Sequence, residues 1–215
     1  MRRLIQVIAA VVIAAGIAFL FVRSAQNTRS EPYTVNPDHL RGWTLMLDAA
    51  PETSGVVVAL RPPQPLAPAL FRQVFTRAME SLTAPSSPAM PLILQQEFEE
   101  VFKGRVGADV LLSAAGDAGL EAASLEPVCL AHRRESEPGT TRQLYFAVFR
   151  VPAFQVFRRK AAALLNDAGA ASGGYDPLAL APVVFIGASD AGFRRWLPLA
   201  RDPQVDCAAP IVTSR

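Results

Sequence analysis

Residues 4–22, LIQVIAAVVIAAGIAFLFV, contain no charged side chain, and Gln6 is the only strongly polar group among them. At about 1.5 Å of rise per residue, a helix over this run reaches about 28 Å, close to the thickness of a bilayer's hydrocarbon core. The run therefore predicts one N-terminal transmembrane helix. Arg2, Arg3 and the amino terminus precede it, and positively charged flanks are retained in the cytoplasm. The rest of the chain is accordingly expected on the far side of the cytoplasmic (inner) membrane, in the periplasm or an equivalent extracytoplasmic space.

A cleavable signal peptide is the competing reading. Its apolar stretch is usually about 7 to 15 residues, followed by small residues at the cleavage site. Here the run is longer, and Arg23 lies between Val22 and Ser24, the two positions that would have to be small. The reading preferred on length is an uncleaved signal-anchor over residues 1–23. Residues 24–40, SAQNTRSEPYTVNPDHL, are polar, aperiodic and contain two prolines, as expected of a tether. Residues 41–215 then form one exported domain of ordinary size.

Charge has to be counted by region before a partner is inferred. Arg2, Arg3, Arg23 and Arg29 put +4 in residues 1–30, leaving 17 basic against 19 acidic groups, or −2, in the remainder. The net basicity of the chain thus belongs to the anchor flank. Nucleic-acid binding needs a clustered positive field, and the domain has no such excess. Half the chain is hydrophobic, which supplies a core and excludes disorder as the dominant state.

Within the domain, Trp43 to Leu47 and Val56 to Leu60 read as strands. From Pro68 onward, Leu70, Phe71, Val74, Phe75, Ala78, Met79 and Leu82 recur at helical spacing, with Arg72, Gln73, Arg77 and Glu80 opposite. A second helix is expected with Leu94, Phe98, Val101 and Phe102 inward, and a third from Asp109 to Ala115. Pro127 to Arg133 and Gln143 to Phe149 predict an antiparallel hairpin around EPGT. A helix opening at Pro152 carries Phe154, Phe157, Ala161, Leu164 and Leu165 inward. Val183 to Ile186 is a strand, a short helical turn is expected around Phe193 to Leu197, and a last strand lies near Ile211 to Thr213.

From Val56 onward this is strand, helices, strand, strand, helix, strand. The expected fold is α+β: a ferredoxin-like (split βαβ) sandwich with extra helices. VVVAL, LYFAVF and VVFI are apolar at consecutive positions, so both faces of the sheet should be covered. The helices between Met90 and Ala115 are the preferred cover, with a partner subunit as the alternative.

Motifs that carry chemistry are sparse. Cys129 and Cys207 are an even pair that an oxidising compartment would allow to bond; two unpaired thiols are the alternative. His39 and His132 lack neighbours at ligand spacing, and strand alternation would put Cys129 and His132 on opposite faces, so no metal is expected. Ser189 and Asp190 read as a cap before Phe193. GRVG and SGG are too short for a phosphate-binding loop, and no cofactor is expected. Arg150, Arg158, Arg159 and Lys160, with Arg194 and Arg195, form the one basic concentration, a candidate interaction patch or else a solvated face. WLPL, residues 196–199, is expected to pack on the core.

The function this supports is a single-pass envelope protein whose exported domain serves as a protein-interaction, scaffold or accessory module, with an envelope protein as partner. The alternative is an extracytoplasmic enzyme or ligand-binding domain using His132, Asp190 and nearby carboxylates.

Overall fold

The computed structural model describes Gly16 and residues 31–214, except 79, 124, 170–173 and 198–202. The anchor reading falls outside the described residues, as does the first part of the tether. Among the described residues, no helix is long and apolar enough to cross a membrane.

The domain is α+β, and its described residues form eight strands: β1 (Tyr33–Val35), β2 (Thr44–Leu47), β3 (Val56–Arg61), β4 (Met90–Leu94), β5 (Glu126–Glu137), β6 (Thr140–Arg150), β7 (Val183–Ala188) and β8 (Cys207–Thr213). The longer helices are α1 (Leu66–Ala78), α2 (Ala108–Asp117) and α3 (Pro152–Asp167). Strands β1-β8-β5-β6-β7 form a mixed sheet, in which β1 runs parallel to β8, and β2-β3-β4 form a smaller antiparallel one. The hairpin of β5 and β6 closes through Pro138 and Gly139, whose φ of 81° suits a residue without a Cβ.

This pairing corrects the ferredoxin-like expectation. A split βαβ order would set β3 between β6 and β7, whereas β6 lies between β5 and β7, and β3 between β2 and β4. The difference comes from β4. Its MPLIL sequence is followed at once by a helical turn, Gln95–Glu97, and by a π-helical turn, Phe98–Phe102. The expected second helix thus merges a buried strand with two short turns. Pro91 is tolerated because β4 is an edge strand of its sheet.

The tether reading is also too long. Tyr33–Val35 pairs with Ile211 to Thr213, and the Gln73 side chain donates to the Thr34 carbonyl at 2.8 Å and accepts from its N–H at 3.0 Å. Arg77 lies over the Tyr33 ring, 4.1 Å from its centroid. Residues 33–40 therefore belong to the folded unit.

The apolar strands are covered on both faces within the chain, as their composition requires. One face of the larger sheet, with Leu130, Ala147, Phe149, Val184 and Ile186, joins the main core with Phe154, Phe157, Leu70 and Val74. The other, with Leu144, Phe146, Val148, Val183 and Phe185, packs with Trp196, Phe193 and Leu197. That second cover is the short 3-10 segment, not the Met90–Ala115 region, whose α2 lies on β2 and β3. Trp196 packs inward as WLPL suggests; residues 198 and 199 lie outside the described set.

Arg158 ties these parts together. It is 0% exposed on α3, and every one of its guanidinium donors has an acceptor available. Nη1 donates to Glu97 Oε2 at 2.9 Å and to the Leu92 carbonyl at 3.1 Å, and Nη2 donates to Glu97 Oε1 at 2.6 Å and to the Asp176 carbonyl at 2.8 Å. Nε donates to the Pro177 carbonyl at 3.3 Å, and the Tyr175 ring lies 4.5 Å away. Burial raises the Tyr175 pKa above its ordinary value, although the nearby Arg158 charge opposes the shift.

A buried charge is tolerable only when paired and fully hydrogen-bonded. Arg158→Met leaves the Glu97 carboxylate without its counter-ion, so a loss of about 3 to 5 kcal/mol is expected in urea unfolding. The Arg158→Met, Glu97→Met double variant should recover much of it, which a double-mutant cycle would measure.

Candidate functional site

Of the expected basic patch, one member is not at the surface. Arg158 is inside the protein, and Arg150 pairs with Glu126 at 2.9 Å across the hairpin. Lys160 pairs with Asp117 at 2.9 Å, and Arg195 with Glu137 at 3.3 Å. Arg194 donates to the Glu52 carbonyl, while Arg159 stays exposed. What reads as a cationic cluster along the chain is divided among local acids and one interior hub.

Cys129 and Cys207 are bonded, with Cα atoms 5.8 Å apart and 78 residues between them in sequence. They join the adjacent strands β5 and β8, whose pairing puts Cys129 opposite Pro210 and Ala131 opposite Cys207. Because β8 is also the strand partner of β1 among the described residues, the bridge secures both ends of the domain to the central hairpin.

His132 lies in a polar cluster on that hairpin. Its Nε2 is 2.7 Å from Gln143 Oε1, its ring stacks on Tyr145 at 4.4 Å, and the Gln143 amide donates to the Glu80 carboxylate. Because Gln143 must turn its NH2 toward Glu80, it presents only an oxygen to His132, so Nε2 carries the proton there. The amide thus stands between the imidazole and the Glu80 carboxylate. Arg134 approaches the same Glu80 at 3.9 Å.

Ser189 and Asp190 shape a turn. Ser189 Oγ accepts from the Gln143 N–H at 3.0 Å, and Asp190 accepts from the Gly192 N–H at 3.0 Å while facing Arg142 at 3.5 Å. The residue preceding the 3-10 turn Phe193–Trp196 is Gly192, with no side-chain cap, which corrects the cap reading.

The feature best suited to binding is a groove of about 610 Å³ beside α1. Its origin is local. Strand β3 ends at Arg61 because Pro62 and Pro63 offer no N–H to a ladder, and Pro68 is accommodated in the first turn of α1. Helix α1 buries Leu66, Ala67, Leu70, Val74 and Ala78, leaving Pro68, Phe71 and Arg72 toward the groove. Phe71 lies directly over β7 at Gly187, where a Cβ would come within 3.0 Å of the ring. The opposite wall is the loop Ala84–Pro88, held by Thr83, which exchanges N–H···O bonds of 2.7 and 3.0 Å with Ala188.

A second depression of about 470 Å³ lies on the other side of the same loop and shares Arg61 and Pro85–Pro88 with the first. Phe75, one turn beyond Phe71 with ring centroids 5.9 Å apart, is 51% exposed. The helical stripe places Phe75 inward; it is instead exposed beside Phe71 and lines neither depression.

Pockets of this volume, with an apolar floor and a few polar groups, are the usual form of ligand sites. The groove's residues carry no signature spacing. The cues that were present are a proline-punctuated RPPQPLAP and an arginine on the polar side of a helix. Comparison with known proteins finds no family model, no curated protein and no solved structure that matches the chain.

Replacing both cysteines with alanine should lower stability by about 4 kcal/mol on the chain-entropy account. Urea unfolding should show the parent protein moving to the midpoint of the double variant on reduction, with no further change in the variant itself.

Proposed function

We propose that this chain is a single-pass protein of the cytoplasmic membrane, held by residues 4–22 with its amino terminus inside. Its exported domain docks another envelope protein. Export is supported by the uncharged run behind Arg2 and Arg3 and by the Cys129–Cys207 disulfide between neighbouring strands, a bond that persists in oxidising compartments and is rare in the cytosol.

A docking role is carried by one observation, the open two-part groove lined by Pro68, Phe71 and the Pro85–Pro88 loop. The catalytic alternative gains little from the His132 cluster, since Gln143 stands between the imidazole and Glu80. Binding without chemistry is the simpler use of such a surface.

Copurification of the full chain from solubilised membranes tests the reading. A stoichiometric protein partner is expected. A lone monomer that retains a small molecule would instead support the ligand-binding alternative.

A further inference from the structure

Two unpaired guanidiniums meet at the groove. Among the described residues, the guanidiniums of Arg41, Arg61, Arg72 and Arg159 make no ion pair or hydrogen bond. Two of these, Arg61 and Arg72, line the same groove, and no Asp or Glu lines it with them. The first turn of α1, which contributes Ala67 and Pro68 to the wall, also carries no acidic residue. The positive end of the helix is therefore not offset locally. In a region with a net charge of −2 over residues 31–215, this is a local positive strip beside an apolar wall.

Shape narrows the ligand further. The two depressions flank the loop Pro85–Pro88 and share Arg61, the second adding Asp48 and Arg194 to its lining. The concave surface is thus a track bent around a proline-stiffened ridge, and the track's uncompensated positive charge lies in the first depression. Such a track suits a linear chain laid along it better than a compact molecule enclosed in one cavity. Phe71 provides aromatic surface along one side, the kind of anchor that dominates peptide recognition.

We propose that this groove receives an extended segment of the partner protein in which carboxylate side chains alternate with apolar ones. The carboxylates meet Arg61 and Arg72, and the apolar side chains lie on Pro68 and Phe71. The inference rests on the docking role proposed above and specifies its site and the chemistry of its partner. Arginine is suited to this because its planar fork accepts a carboxylate bidentately. An unpaired guanidinium also has no internal ion pair to break before binding.

The test uses the full chain in detergent, immobilised and presented with a displayed library of random linear peptides. Enriched sequences are expected to combine Asp or Glu with Leu, Phe or Pro. They should bind the Arg61→Glu, Arg72→Glu chain at least about tenfold more weakly, since opposed charges at an interface are strongly unfavourable. Arg159→Glu, at a guanidinium outside the groove, should leave binding unchanged. Both groove arginines are exposed, so the urea midpoint should hold, and Arg61→Gln, Arg72→Gln provides a milder variant if reversal disturbs folding.

Absence of enrichment, enrichment of sequences without carboxylates, or equal affinity for the reversed chain would overturn the proposal. The docking role is separable from it. A stoichiometric partner recovered from membranes by both the parent and the reversed chain would remove this groove while keeping the module. Recovery of none by the parent would remove the module.

Discussion

The fold is organised around a guanidinium that has no access to water. Arg158 on α3 reaches Glu97 just after β4, the Leu92 carbonyl within β4, and the carbonyls of Asp176 and Pro177 before β7. Segments far apart in sequence are thereby fixed at distances set by five N–H bonds. Glu97 is doubly committed, since Oε2 also accepts the Leu94 N–H at 3.0 Å and so defines where the strand turns into helix. An ion pair in this position adds specificity more surely than net stability, because apolar packing would also fill the space. Here the specificity is the junction between the two sheets: β4 belongs to the smaller sheet and lies beside β7 of the larger one.

That junction is where the groove forms. Its apolar wall is Pro68 and Phe71 on α1, and its ridge is the loop that enters β4. Gly187 lets Phe71 approach the strand closely, and the Thr83–Ala188 bridge fixes the ridge to the end of β7. The disulfide acts at the opposite edge, joining β8 to the hairpin. Interior polar and covalent ties thus leave the surface arginines beside the groove uninvolved in holding the fold.

Much of the secondary structure was legible because period and punctuation agree. The α1 and α3 stripes, the EPGT hairpin and VVVAL follow from apolar spacing bounded by proline and glycine. Strand β4 was obscured because its apolar run continues into Leu94, Phe98 and Phe102, which satisfies a helical period across the boundary. The strand order could not be read because pairing depends on contacts between distant segments. Arg158 is an instructive miss: residues 154, 157, 158, 161 and 165 form one helical stripe, so its position was inward by spacing, although its charge suggested the surface. Cysteine count permitted the disulfide but not its geometry. The groove is formed by Arg61, Arg72 and a proline loop, which no local pattern brings together.

The proposed placement of this domain beyond a membrane draws on the apolar run of residues 4–22 and on a covalent tie suited to an oxidising compartment. Location is the central claim and the most directly measured. Ser136 is exposed in the terminal part of the β5–β6 hairpin, and the native cysteines are bonded to each other, so a Ser136→Cys chain offers a single reactive thiol among the described residues. Intact cells with a permeable outer layer, treated with a membrane-impermeant maleimide, should label this position fully while the chain remains in the membrane fraction. Labelling only after the cytoplasmic membrane is broken would contradict the account.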